Sequence, residues 1–231
     1  SPSTFPSSGN VPDALSDCPS HSELPLLVWC EQGIGDAIQF IRYIALLNAA
    51  GINFLVQVRQ SLYDLFRDWL PLEGKLVLEG NLSEEQKQLS HISLMSLPRL
   101  FQTSIETVPS HTPYLKSRVE IPQTFIVPPA PGGLSVGVVW ATNHDNKSMY
   151  RHKSFPLKIL MPTFSKLISL DLINLHSLQV GSDSVEINDF SDGHRIVDWG
   201  NKLVSFSDTA HVLSQLDLVI SVDTAVAHLS G

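Results

Sequence analysis

The residues with the clearest chemical potential lie near the end of the sequence, where a short apolar run leads into Ser221, Asp223, Thr224 and, further on, His228. The run, residues 216–220, has the β-branched content of a buried parallel strand, and the residues after it have the pattern of a helix. A strand that leads into a helix start presents free backbone N–H groups and small hydroxyls, which suit a phosphate. His228 lies about one turn along, on the face that looks back over this point. The pattern predicts a phosphate site; the plainer alternative is an N-capped helix, with Asp223 or Thr224 as the cap.

A polar loop predicted over residues 142–154 concentrates positive charge in a chain that has only fifteen Lys and Arg residues. Thr142 stands at the end of a predicted strand, where its hydroxyl could bind a phosphate oxygen, and Lys153 could neutralise that phosphate. The alternative is a solvated polar loop, which is the interpretation we prefer for His144 and Lys147. The chain has no Asp-x-Asp pair and no His/Cys/Asp cluster at metal spacing, so we predict neither a metal nor another cofactor.

A glycine loop, with Gly33, Gly35 and Asp36, follows the first predicted strand. A dinucleotide fingerprint would need a third glycine where Ile38 stands, and the second strand leads into Arg59 rather than an acidic residue, so nicotinamide binding is disfavoured. Asp36 at a helix start could instead accept a proton from a substrate hydroxyl. Capping of that helix is the alternative, and spacing alone favours it.

Strands that alternate with helices position these residues, and they predict parallel sheets covered on both faces. Residues 1–25 are rich in Ser and Pro and read as a disordered linker or tail. Residues 26–121 are predicted to form an N-terminal Rossmann-like domain, 122–133 a Pro- and Gly-rich linker, and 134–231 a C-terminal Rossmann-like domain. The predicted fold class is α/β, with the two domains facing each other across a cleft. Because the sequence stops about two turns into its last helix, we expect the second domain to be incomplete.

The periodicity also predicts particular elements. We expect one helix over residues 37–50 and a short one over 83–89. A third helix is expected to start near Pro156, because proline suits a first turn. Residues 196–206 show no pattern and are expected to be irregular.

Composition narrows the function classes. The chain has 43% hydrophobic residues and a net charge of −8, which argues against a nucleic-acid or anionic-membrane surface. No apolar run approaches the ~18–20 residues of a membrane span, and no signal peptide is visible, so the cytoplasm is the simplest compartment. Cys18 and Cys30 are not at metal spacing, and Cys30 reads as a reduced thiol in the core.

Three blocks of the sequence, residues 28–43, 94–115 and 208–229, together resemble a known family. The first looks like the EQGxGDxxQFxRY segment of bacterial proteins that join tetratricopeptide repeats to a glycosyltransferase domain. That domain is similar to the ADP-heptose:lipopolysaccharide heptosyltransferases of glycosyltransferase family 9, which have the GT-B fold. The resemblance covers about residues 26–231, and no tetratricopeptide repeat is among them.

The resemblance implies an inverting, metal-independent glycosyltransferase. It makes residues 26–121 the acceptor domain and 134–231 the domain that binds the nucleotide sugar, with Asp36 as the base that activates the acceptor hydroxyl. The family's donor-binding positions fall on Gly33, Gly35, Thr142, Lys153, Asp223, Thr224, Ala225 and His228. The implied partners are a nucleotide-diphosphate sugar and a glycan, lipid-linked or protein acceptor, with neither nucleic acid nor an integral membrane segment. Two alternatives stay open: a non-catalytic nucleotide-sugar or glycan-binding module, which includes an inactive remnant of the fold, and a nicotinamide-dependent oxidoreductase.

Overall fold

The computed structural model describes residues 24–231 except 32, 68, 116–119, 130–131 and 145–146. Most of the predicted N-terminal tail, residues 1–23, therefore lies outside the described residues. The chain divides into two compact units, Ser1–Arg118 and Val119–Gly231, which we call unit 1 and unit 2.

Unit 1 is built on four parallel strands in the order β3-β2-β1-β4. The strands are β1 (Leu26–Trp29), β2 (Phe54–Val58), β3 (Leu76–Leu78) and β4 (His91–Ser93). The α-helices are α1 (Ile34–Phe40), α2 (Ile44–Ala49), α3 (Gln60–Arg67) and α4 (Leu97–Leu100), with 3₁₀ turns at Ile41–Tyr43, Leu70–Leu72, Gln86–Gln88 and Leu94–Ser96. Apolar residues that alternate along β2 are buried, as a period of two requires.

The single helix predicted over residues 37–50 is wrong in two respects. Helix α1 begins earlier, at Ile34, and the 3₁₀ turn Ile41–Tyr43 separates it from α2. The turn buries both Ile41 and Tyr43, which a regular α-helix would direct to nearly opposite sides. The helix predicted over 83–89 is also wrong, because only the 3₁₀ turn Gln86–Gln88 forms there.

Unit 2 has four parallel strands in the order β7-β6-β5-β8. They are β5 (Leu134–Val139), β6 (Ile173–Ser177), β7 (Val197–Asp198) and β8 (Leu218–Ser221). The α-helices are α5 (Lys147–Lys153), α6 (Met161–Ser169), α7 (Phe206–Leu213) and α8 (Ala225–Ser230), with 3₁₀ turns at Gln123–Phe125, Leu157–Ile159, Ser182–Asp189 and Gly193–Arg195.

The core of unit 2 covers both faces of its sheet. Val136 and Val138 of β5 pack with Phe164 of α6 in one cluster, whereas Val139 packs with Val212 of α7 in another. Part of the predicted linker also belongs to this unit, because Gln215 hydrogen-bonds the backbone on either side of Ile126. Parallel strands need crossover connections, and helices in those crossovers cover both faces of the sheet, which is the arrangement observed.

Three expectations for unit 2 are corrected by the structure. The predicted loop 142–154 contains helix α5, which apolar periodicity misses because no residue of α5 is buried. Helix α6 begins at Met161, so the proline in its first turn is Pro162 rather than Pro156. Residues 196–206, expected to be irregular, contain strand β7, which pairs with the end of β6.

The two units share one strand order, in which the second and third strands lie on one side of the first and the fourth lies on the other. After the third strand the chain crosses back over the sheet, so the direction in which strands are added reverses between the first and the fourth strand. In open parallel sheets, ligands bind beyond the carboxyl ends of the strands at this point of reversal. Among the described residues, no helix is long and apolar enough to cross a membrane.

Candidate functional site

The point of reversal in unit 2 lies between β5 and β8, where Val139 is the parallel neighbour of Ser221. The chain continues from β5 into Thr142 and α5, and from β8 into Asp223 and α8. Adjacent parallel strands end at the same edge of a sheet, so the two segments singled out from the sequence meet here. We call this the β5/β8 site.

Lys153, at the end of α5, and His228, in α8, are brought together around Asp223. The ammonium Nζ of Lys153 donates a hydrogen bond of 2.5 Å to Asp223 Oδ2, and His228 Nε2 lies 3.8 Å from Asp223 Oδ1. This hydrogen bond lowers the pKa of the Asp223 carboxyl below its ordinary value. The cluster thus holds one permanent cation, one anion and one imidazole, and 63% of the Asp223 side chain is open to solvent.

Thr142 and Thr224 complete the β5/β8 site. The backbone N–H of Thr142 donates to Ser154 Oγ at 2.9 Å, and the two side-chain hydroxyls are 3.3 Å apart, so Thr142 is tied to the residue next to Lys153. Thr224 occupies the N-cap position before Ala225 but makes no side-chain cap bond; its hydroxyl lies 3.1 Å from Ser221 Oγ. Thr224 is thus the N-cap residue by position, as the plainer alternative expects, but its side chain does not cap the helix.

A buried glutamine fixes the end of β5 below the site. Gln179, 2% exposed, accepts hydrogen bonds from the backbone N–H groups of Trp140 and Ala141 at 3.1 and 2.9 Å. Its Nε2 donates to the carbonyls of Ala141 and Val180. The side chain thereby joins the segments that follow β5 and β6. The sequence gives no signal of this role, because Trp140 and Ala141 are 39 and 38 residues away from Gln179.

His144 is an exposed loop residue, as the sequence suggests, but its ring also makes two side-chain contacts. Its Nε2 lies 2.8 Å from Asp183 Oδ2, and its ring stacks on Tyr150 with 3.9 Å between the centroids. The Tyr150 hydroxyl donates to the other oxygen of Asp183 at 2.7 Å, and this bond raises the pKa of Tyr150 to about 12. Asp183 itself is buried. Sequence reasoning missed Asp183 and Tyr150 because neither lies in a recognisable motif.

A second carboxylate from the same 3₁₀ segment, Ser182–Asp189, also holds the loop after β5. Glu186 Oε2 accepts a hydrogen bond of 2.7 Å from the backbone N–H of Leu157. The segment that carries Thr142 and Lys153 is thus bonded at its end as well as in its middle.

The predicted site of unit 1 begins at the glycine loop. Gly33 and Gly35 flank the start of α1, and the Gly33 N–H donates to Asp36 Oδ2 at 3.0 Å. A Cβ at Gly33 would lie 3.1 Å from that same oxygen, so the absence of a side chain leaves room for the carboxylate. Asp36 is half-buried and makes the capping contact that its spacing favours.

Further polar groups gather at the carboxyl ends of the unit 1 strands. Glu31, after β1, accepts a hydrogen bond from the Ser93 hydroxyl, and its second carboxylate oxygen is buried with no partner. A cavity of about 90 Å³ is lined in part by Glu31, Arg59 and Glu79, the last two forming an ion pair at 3.7 Å. Cys30 lines it too; the thiol is free, as expected, and burial raises its pKa to about 12.

The structure therefore brings Lys153, Asp223, Thr224 and His228 together in unit 2, with Thr142 bonded beside them. Gly33, Gly35 and Asp36 form a separate group in unit 1. Among the described residues, no three His, Cys, Asp or Glu side chains are grouped to hold a metal ion.

The chain resembles known proteins in its fold rather than in its sequence. No family model and no curated protein match the chain. Among solved structures, it is similar to the E. coli heptosyltransferase WaaC bound to ADP-2-deoxy-2-fluoro heptose, with a TM-score of 0.55 and 13% identity over 90% of this chain and 85% of that one. WaaC bound to ADP matches with a TM-score of 0.56 and 13% identity, over 90% and 84% of the two chains. E. coli ADP-heptose lps heptosyltransferase II matches with a TM-score of 0.58 and 8% identity, over 90% and 81%.

These similarities confirm the predicted α/β fold of the GT-B type, with two Rossmann-like units. At 8–13% identity they show a shared fold. Fold alone does not define chemistry, so function has to be argued from the sites.

Proposed function

We propose that this chain is a glycosyltransferase that binds a nucleotide-diphosphate sugar at the β5/β8 site of unit 2. The observation that carries the proposal is the meeting of Lys153, Asp223 and His228 where the strand order reverses. Lys153 binds the diphosphate as a point charge, and the Thr142 hydroxyl and the backbone at Thr224 and Ala225 bind its oxygens. Asp223 and His228 then contact hydroxyls of the donor, for which a carboxylate and an imidazole are suitable partners.

The bound donor of the structural neighbour supports this proposal. WaaC was solved with ADP and with an ADP-heptose analogue. A chain of the same fold, with a cation and hydroxyls at the point of strand reversal, has the groups that a nucleoside diphosphate requires. The nucleobase and the sugar are left open by this argument.

In the proposed reaction, unit 1 supplies the general base. The acceptor hydroxyl gives its proton to Asp36, its oxygen bonds to the anomeric carbon from the opposite face, and the nucleoside diphosphate leaves with the electrons of the broken bond. The configuration inverts because one displacement occurs. The Gly33 N–H holds Asp36 Oδ2 and so orients the carboxylate. Lys153 stabilises the leaving diphosphate, and the proposal includes no metal or other cofactor.

The setting that we propose follows from the same chemistry. Nucleotide-diphosphate sugars are cytoplasmic metabolites, so we place the reaction in a bacterial cytoplasm. The tetratricopeptide-linked type of family 9 protein, which the first sequence block resembles, is the proposed context. The acceptor is a glycan, a lipid-linked sugar or a protein hydroxyl.

One observation favours a second candidate, a non-catalytic nucleotide-sugar-binding module. Asp36 already makes the capping bond to Gly33, so its position has a structural explanation without catalysis. The module would bind a nucleoside diphosphate in the same manner and transfer nothing.

Turnover separates the two candidates. ADP-, UDP- and GDP-sugars are incubated with the chain, water serves as the acceptor, and nuclear magnetic resonance follows the first anomer released. Transfer predicts release of nucleoside diphosphate and an inverted anomeric centre. Binding without release of diphosphate from any donor would support the module, and retention would contradict the single displacement.

A further inference from the structure

Helix α5 is bonded on both sides of the β5/β8 site. Strand β5 lies between β6 and β8 in the sheet. Tyr150 of α5 donates to Asp183, which follows β6, and Lys153 of the same helix donates to Asp223, which follows β8. The helix therefore crosses the end of β5 with one tether on each side.

The tether on the β6 side is the more enclosed of the two. Asp183 is 8% exposed and uses both carboxylate oxygens, one for Tyr150 and one for His144. The stacked rings of these two residues join the loop before α5 to the helix itself. Asp223, in contrast, is mostly open to solvent, as an ion pair at a ligand site would be.

Tyr150 and Lys153 are three residues apart in α5, so they lie on one side of the helix about one turn from each other. A bond that fixes Tyr150 consequently fixes the direction from which Lys153 approaches Asp223. Since Glu186 holds the loop only beyond the helix, at Leu157, the bonds to Asp183 are those nearest to Lys153 on that side.

We propose that Asp183 is a positioning residue of the β5/β8 site: through Tyr150 and His144 it holds α5 in place, so that Lys153 stays at the site when a ligand phosphate replaces Asp223 as its partner. The inference rests on the proposed function, because it assumes that Lys153 binds phosphate. The phosphate releases the tether on the β8 side. Ser154 and Phe155 still bond the segment after β5, and Asp183 is then the side-chain anchor that holds the helix itself, at Tyr150.

Calorimetric titration with ADP tests this role in the full chain. We expect Asp183→Asn to weaken ADP binding about tenfold, the loss of one hydrogen bond to a charged group, and Tyr150→Phe to weaken it by about the same factor or less. Tyr150→Phe removes only a hydroxyl, so it can test the same tether if Asp183→Asn folds poorly. Asp217→Asn is the control, because that carboxylate bonds the Ser135 N–H at the opposite end of β5. An unchanged affinity in Tyr150→Phe, or an equal loss in Asp217→Asn, would overturn the inference.

A double-mutant cycle separates positioning from general structural support. If Asp183 acts through Lys153, then Asp183→Asn made in a Lys153→Ala background changes the ADP affinity by less than about twofold, because the two losses are not additive. A full tenfold loss in that background would show that Asp183 acts independently of Lys153, which contradicts the proposal.

Amide hydrogen exchange distinguishes failure of this inference from failure of the proposed function. In Asp183→Asn and Tyr150→Phe we expect faster exchange at amides 151–154, including the Ser154 N–H that bonds the Tyr150 carbonyl, and no change in Asp217→Asn. If wild type binds no nucleoside diphosphate, the proposed donor site fails, but this exchange result still decides whether Asp183 holds α5. Unchanged exchange at these amides would overturn the tether itself.

Discussion

Unit 1 and unit 2 are built on the same four-strand order, yet the groups at their points of reversal are opposite in character. In unit 2 the point of reversal carries Lys153 with Asp223 and His228. In unit 1 it carries two carboxylates, Glu31 after β1 and Asp36 at the start of α1, and no described cation pairs with either. The fold thus provides the same kind of site in both units, at the point of strand reversal, and the side chains determine the chemistry of each site.

The difference in charge corresponds to a difference in chemistry. A fixed ammonium between hydroxyls binds an anion, which suits a diphosphate. A half-buried carboxylate at a helix start accepts protons, which suits a general base. In the proposed function, the first serves the leaving group and the second the attacking hydroxyl.

The largest expected effect concerns Asp36, the carboxylate that we propose as the general base in unit 1. Asp36→Asn keeps the shape of the side chain and removes its basicity, so turnover is expected to fall by about 10²–10⁴-fold while ADP binding stays unchanged. Release of nucleoside diphosphate and ADP titration measure the two quantities. Asp64→Asn, in an Asp that pairs with Arg67 on α3, is the control. Full turnover in Asp36→Asn would remove Asp36 from the mechanism.

The next largest effect is on the stability of unit 2, which depends on the buried side chain of Gln179. Gln179→Ala leaves the buried N–H groups of Trp140 and Ala141 without their partner, which we expect to lower the free energy of unfolding by about 2–4 kcal/mol. Chemical denaturation, followed by amide exchange in each unit, checks whether the loss is confined to unit 2. Gln88→Ala, on the exposed surface of unit 1, is the matched change and is expected to have little effect. A loss shared equally between the two units would contradict the assignment of Gln179 to the edge of one sheet.

The smallest effect is the pH dependence that the Asp223 ion pair gives to unit 2. Because the pKa of Asp223 is lowered in the folded state, its ion pair stabilises the fold above the unfolded pKa of about 4, and this contribution is lost as pH falls through the folded value. The difference in unfolding free energy between wild type and Asp223→Asn should therefore be constant near neutrality and shrink below about pH 4. Its size is small, since the Asp223 side chain is mostly exposed. A difference that grows as the pH is lowered would contradict the ion pair.

Much of the fold could be predicted from the sequence. Strands β1, β2, β5 and β8 are marked by apolar runs that contain β-branched residues, and their spacing by helices predicts parallel sheets. The elements that were missed lack that signal. Helix α5 buries no residue, strand β7 is two residues long, and the break between α1 and α2 contains neither Gly nor Pro.

The residues of the candidate sites also divide into those that the sequence predicts and those that it does not. Asp36, Thr142, Lys153, Asp223 and His228 lie in the first loop or the first helix after a strand, so their place could be predicted from the chain alone. The residues that hold them could not, because Gln179 and Asp183 reach partners 33 to 39 residues away. Contacts at such separations depend on how β6 lies beside β5, and a local sequence pattern does not predict that arrangement.

The central claim is that the β5/β8 site binds a nucleoside diphosphate through Lys153. Calorimetric titration of the 231-residue chain with ADP, UDP and GDP tests it, with Lys153→Ala beside Lys166→Ala, which removes an exposed cation from α6 of the same unit. The account predicts saturable binding of at least one nucleotide, weakened by about tenfold or more in Lys153→Ala and unchanged in Lys166→Ala. Binding that survives in Lys153→Ala, or no binding of any of the three by wild type, would contradict it.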